Sequence, residues 1–237
     1  MNPIQTPYNL TETQKERLIK GVKAAIAFPL IDCIEDFIWE GVFSYMKDIP
    51  IVDPLFNTRS KHLYDVVDTQ KQIGWSAKTL LVSRFPCPDF ELVIQRANIF
   101  KKREELGFPI LNIDSPTEEL GAALLKHWRM KVESDATIQG VTEKRICILL
   151  KSRDARQYGY IEEPLTLYSP EELIWRWTDS TKTGLQGIRK TDGRVVYRWY
   201  RGQTQFFEHF YMNHNYFTFE IDPERKSLEE SIDILSQ

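Results

Sequence analysis

A chain of 237 residues with 42% hydrophobic and 27% charged side chains has the make-up of a soluble globular protein of one or at most two domains. Its formal net charge of -3 argues against a protein that coats nucleic acid by bulk attraction, and its cysteines, Cys33, Cys87 and Cys147, are too scattered for a disulfide framework or a zinc site and read as small core residues. No apolar run approaches the roughly 20 residues that cross a bilayer, and the opening MNPIQTPYNL lacks the charge and apolar stretch of a signal peptide, so an intracellular, cytoplasmic protein is expected.

Residues 11 to 47 read as two helices. Thr11 and Gln14 have capping-box spacing, and Leu18, Ile19, Val22, Ala25 and Ile26 share one helical face. Pro29 interrupts, and a second helix carries Ile34, Phe37, Ile38, Val42 and Tyr45 as its apolar stripe, with Glu35, Asp36 and Glu40 beside it. DIPIVDPLFNTRSK, residues 48 to 61, reads as a loop or broken strand. HLYDVVDT and WSAKTLLVS read as strands joined by QKQIG. DFELVIQRANIFKKREELG has helical spacing at Phe90, Val93, Ile94, Ala97 and Phe100 and closes on Gly107. PILNI reads as a short strand, residues 116 to 134 as a helix and RICILLKS as a buried strand. Ser169-Pro170-Glu171-Glu172 has the form of a helix start. From residue 184 the chain is β-rich and aromatic, with Asp192-Gly193 as the turn between LQGIRK and RVVYRWY. ERKSLEESIDILSQ reads as a terminal helix or loose end. The fold class expected is mixed α+β, as a single domain over residues 1–237.

The HLYDVVDT hairpin holds the most informative side chains. Facing residues of an antiparallel pair share a face, and their numbers have a constant sum. A turn centred between Lys71 and Gln72 sets Asp65 opposite Lys78, with Ser76 on the same face; half a residue further, Asp68 faces Ser76 instead. Asp65 is preferred, because Asp68 would lie beside the turn in solvent. The plain reading is a cross-strand ion pair. Yet Lys78 stands among Trp75, Ala77, Leu80 and Leu81, poor surroundings for a surface lysine. A carboxylate, a lysine and a second acid, Glu91, at one strand edge could hold Mg²⁺ and hydrolyse a phosphodiester.

Asp65, followed by Ser76-Ala77-Lys78 on the next strand and then by a helix, resembles the PD-(D/E)xK nuclease superfamily and, within it, the type II restriction endonucleases. The phrases GWSAKTL, ELVIQRANI, GLQG and RWYRGQTQFFE are similar to restriction endonuclease sequence as well. The resemblance implies a restriction-endonuclease-like central mixed sheet flanked by helices, with a catalytic core over about residues 35–152. It also implies a prokaryotic, intracellular enzyme. Ser76 departs from the family pattern, which has Glu or Asp there. Some members supply the missing carboxylate from the following helix, about 13 residues after the lysine, and Glu91 is 13 residues after Lys78. The resemblance thus implies Asp65, Lys78 and Glu91 as catalytic residues, with Asp65 and Glu91 as metal ligands. Glu40 would support the metal as the acid of the preceding helix, with Glu35 and Asp36 as weaker matches. Asp68 is the alternate ligand and Ser76 a neutral liner.

Between residues 182 and 205, six basic residues stand against one acid. Arg198, Arg201 and Gln203 are candidates for reading base edges, and Arg189 and Lys190 for phosphate, within a recognition region at about 180–220. The plain alternative is a solvated strand face. His62, His127, His209 and His214 lack metal-ligand spacing, and no phosphate loop supports a nucleotide cofactor. Together these features lead us to expect a sequence-specific double-stranded DNA endonuclease that uses Mg²⁺. A homodimer is expected because two-fold pairing is the simplest way to cut both strands. The rivals are a repair or structure-selective nuclease of the same superfamily, a non-catalytic DNA-binding module, and a protein-interaction domain.

Overall fold

The computed structural model describes residues 8–29, 31, 33–51, 62–212, 216–222 and 224–236. The chain is mixed α+β and divides into two compact units. The first comprises Met1–Cys87, Asp135–Leu165 and His214–Gln237, and the second Pro88–Ser134 and Thr166–Asn213.

In the first unit, helix α1 (Glu12–Ala27) starts with the expected capping box, Thr11 and Gln14 each bonding the other's backbone N–H. Helix α2 (Asp36–Lys47) follows. Its buried face is carried by Trp39, Val42, Phe43 and Met46, whereas Phe37 is 55% exposed, so the apolar stripe is rotated from the one expected. Five strands form a mixed sheet in the order β1 (Val66–Asp68), β2 (Ile73–Leu81), β4 (Glu143–Lys151), β5 (Gln157–Pro164) and β10 (Phe217–Glu220). β2 and β4 run parallel and the other pairs antiparallel. Val66, Trp75, Ala77, Cys147, Leu149, Tyr158 and Tyr160 pack with Leu18, Val22, Trp39 and Phe43 of the two helices in one core. The C-terminal segment forms helix α4 (Leu228–Leu235). The loop expected over residues 48 to 61 lies mostly outside the described residues.

The second unit is an antiparallel sheet in the order β3 (Asp89–Arg96), β9 (Gln205–Tyr211), β8 (Val195–Tyr200), β7 (Gly184–Arg189) and β6 (Leu173–Trp177). Helix α3 (Thr117–Gln139) packs on this sheet through Gly121, whose Cα approaches the Trp175 indole too closely for a Cβ; from Asp135 onward it belongs to the first unit. The helix expected from Asp89 is strand β3. Phe90, Leu92 and Ile94 alternate into the core while their neighbours face out, and the two-residue period wins over the helical one. PILNI forms turns rather than a strand. At Ser169 the helix start yields a single 3-10 turn, Pro170–Glu172, because β6 follows at once.

Candidate active site

The β1–β2 register is Val66↔Trp75, Val67↔Gly74 and Asp68↔Ile73. The turn therefore occupies Thr69–Gln72, and Asp65, just before β1, sets its backbone N–H on the Trp75 carbonyl rather than facing Lys78. Lys78 nonetheless reaches Asp65 with its long side chain. Its Nζ lies 3.3 Å from Asp65 Oδ2, and the two side chains are 23% and 20% exposed. Ser76 is buried beside them. Asp68 closes the turn: its Oδ1 accepts the N–H groups of Gln70 and Lys71, and its other oxygen pairs with Lys71. These bonds hold its carboxyl below the ordinary value.

The segment before β1 is fixed from α3. Asp135 accepts the Leu63 N–H, and the Gln139 amide bonds both N–H and C=O of Tyr64. The Tyr64 ring in turn lies against Gly74, where a Cβ would stand 2.8 Å from it and 2.7 Å from Val141. Gly74→Ala should therefore overpack this site at a cost of about 1–3 kcal/mol, read as a lower urea midpoint, and displace the residue next to Asp65.

β1 ends its pairing against Trp75, where Asp65 N–H donates to the Trp75 carbonyl. Beyond that point no described strand pairs this edge of β2. The next two N–H groups on it belong to Ala77 and Thr79, about 6.8 Å apart along the strand. Each is taken by a carboxylate. Asp65 Oδ2 accepts from Ala77 at 2.8 Å, and Asp36 Oδ1, from the first residue of α2, accepts from the Thr79 N–H at 2.8 Å and its hydroxyl at 2.9 Å. Thr79 is supported in turn by the buried Lys151, whose Nζ lies 3.3 Å from its Oγ1 and also bonds the Ile34 carbonyl.

Burial raises the Asp65 carboxyl above its ordinary value, and the neighbouring Asp36 adds to this; Lys78 and the Ala77 N–H oppose it without cancelling it. A carboxyl raised on folding favours the fold only while protonated, so its contribution is lost as pH rises through the folded-state value. Asp65→Asn should therefore melt above the native chain at pH 7, with the gap closing below about pH 3.8, the ordinary aspartate value. Thermal melts at the two pH values check this.

In comparisons with protein-family models, curated proteins and solved structures, nothing matches the chain. The site therefore rests on its own geometry. Asp65, Lys78 and Ser76 are brought together as the hairpin implied, but Glu91 is not on a following helix. It lies on β3 of the second unit, where Arg198 Nη1 is 2.5 Å and His209 Nδ1 3.4 Å from its Oε1. Glu40 lies on α2 one turn after Asp36, and it is Asp36 that bonds Thr79 and couples to Asp65. Thr79 and Lys151 were not foreseen; the threonine two residues after Ala77, hence on the same strand edge, was the available signal.

Among the described residues no group of three or more His, Cys, Asp or Glu side chains is placed to hold a metal ion. Mg²⁺ asks for less, namely one or two carboxylates completed by water and substrate oxygens. Asp65 and Asp36 fit that requirement in kind, since each is anchored through one oxygen while the other oxygen bonds no described residue.

The basic segment is more heterogeneous than its composition suggests. Arg189 is held by both oxygens of Asp192 and by Tyr168, Arg194 pairs with Asp192, and Arg198 pairs with Glu91 and Tyr200. Lys190 is exposed, and Arg201 and Gln203 project from the exposed β8–β9 turn. No helix among the described residues is long and apolar enough to cross a membrane.

Proposed function

We propose that the chain is a Mg²⁺-dependent endonuclease of the PD-(D/E)xK type that cuts double-stranded DNA at a specific sequence, in the manner of a type II restriction enzyme. The observation that carries this reading is the β2 edge, where Asp65, paired with Lys78, and Asp36 occupy successive outward N–H groups. Asp36 takes the part of the acid on the preceding helix, which accounts for a serine at position 76.

Asp65 and Asp36 would hold the Mg²⁺, which supplies Lewis-acid stabilisation of charge and an acidified water. The Ala77 and Thr79 N–H groups fix the two carboxylates, so little reorganisation is needed when substrate arrives. Lys78 sets a positive charge beside Asp65, where it orients the attacking water and offsets charge growing on phosphorus. Ser76 is buried and adds no second charge there. Two copies acting on a two-fold site would cut both strands.

The test is a digest of unmethylated plasmid and phage DNA with and without about 10 mM Mg²⁺, a level suited to a weak, water-rich site. Discrete bands that require the metal support the proposal. A metal-dependent smear would shift the reading to a repair or structure-selective nuclease. Intact DNA in every lane would overturn catalysis and leave Asp65 and Lys78 as an ion pair.

A further inference from the structure

The second unit carries a shallow, open depression of about 510 Å³. Its floor is apolar. Leu111 is buried, Ile113 is half-buried, and the Phe100 ring is steadied edge-on by Trp199 at 5.7 Å. Arg103, Arg201 and Gly202 stand at the rim, all exposed. Among the described residues neither guanidinium makes a hydrogen bond or ion pair, unlike Arg189, Arg194 and Arg198.

The pocket wall is held in place before any ligand arrives. Asn112 ties its own turn through the Ile110 carbonyl and the Asp114 N–H, and Lys182 clamps the same turn through Asp114 at 2.7 Å and the Ile113 carbonyl. Two unpaired arginines beside an apolar lining match an occupant with an apolar body and flanking negative charge.

We propose that this pocket receives one unpaired nucleotide of a DNA strand, turned out of the duplex, with its base against Phe100, Leu111 and Ile113 and its flanking phosphates on Arg103 and Arg201. The choice of DNA as the source rests on the nuclease reading; the nucleotide chemistry does not. Arginine suits both parts of the ligand, because its planar fork binds phosphate and stacks on bases.

The experiment is fluorescence anisotropy in EDTA with a labelled oligothymidylate of about a dozen nucleotides, using the native chain, Arg103→Ala, Arg201→Ala, the double variant and Gly202→Leu. A Cβ at Gly202 meets nothing within 4 Å, so leucine there fills the mouth without disturbing the fold, and unchanged melting curves verify this. Each arginine variant should bind about tenfold more weakly and flatten the salt dependence by about 0.7 for each phosphate it no longer neutralises. Gly202→Leu should weaken binding with the salt slope intact. Native-like binding by the double variant and by Gly202→Leu overturns the proposal. Thymidine monophosphate competing as well as the oligonucleotide, mole for mole, overturns the DNA strand as the source. Because no metal is present, the two readings fail separately: arginine-dependent binding without cleavage sinks the nuclease alone, and cleavage with binding indifferent to the pocket variants sinks the pocket alone.

Discussion

Lys78→Ala should reduce Mg²⁺-dependent cleavage by about a hundred- to ten-thousand-fold, the span seen when a proton-transfer or charge-stabilising group is removed from an active site. DNA binding in EDTA should change by only a few fold, since one lysine contributes little to an interface built on many phosphates. The fold should survive, because a partly exposed ion pair is worth about 0–1 kcal/mol. Single-turnover digestion with enzyme in excess measures the chemical step directly. Asp36→Asn should fall into the same activity class as Asp65→Asn while Glu91→Gln does not, a contrast that ranks the two candidate second acids. Equal cleavage by the native chain and Lys78→Ala would remove the lysine from the chemistry.

The largest loss of stability should follow from Glu162→Ala. This carboxylate has a side chain 0% exposed and collects Lys47 from α2 at 2.6 Å, Arg145 from β4 at 2.8 Å, the Tyr160 hydroxyl at 2.6 Å and the Trp75 indole N–H at 2.7 Å. Burial alone pushes its carboxyl up, but Lys47, with the Tyr160 and Trp75 hydrogen bonds, brings it below its ordinary value. Removing one member of such a cluster strands the other charges in the interior, at about 3–5 kcal/mol. In a chain of this size that lowers the melting temperature by roughly 10 °C. The sign with pH is fixed by the lowered carboxyl: its stabilisation is present above the ordinary glutamate value of 4.5 and is lost as pH falls through the folded-state value. The gap between native and Glu162→Ala melts should therefore narrow in acid, which differential scanning calorimetry at two pH values resolves.

The Asp65–Lys78 hairpin was legible because its signals are local. Apolar runs flank a polar turn, and Asp65 and Lys78 meet although they do not face one another directly. The register was not legible, since Asp68 closes a turn over Thr69–Gln72 that the polar run QKQIG does not by itself locate. Segment 89–100 carries apolar residues at both two-residue and helical spacing, and only pairing with β9 decides between them. That pairing puts Glu91 in another unit. Among Glu35, Asp36 and Glu40, the acid that reaches β2 depends on where α2 begins and on Thr79 being unpaired there, facts of tertiary structure. The importance of Lys151 was equally hidden, because a lysine at a strand end reads as solvated.

The β2 edge beyond Trp75 also bears on how the protein behaves in concentrated solution. Outward N–H groups on an unpaired strand are a template on which a second chain can add its own strand, the first step toward aggregation. Here the carboxylates of Asp65 and Asp36 occupy those groups and would repel an incoming backbone carbonyl. The acids proposed to hold the metal thus also cap this edge, so losing both would expose a sticky edge as well as remove the proposed site.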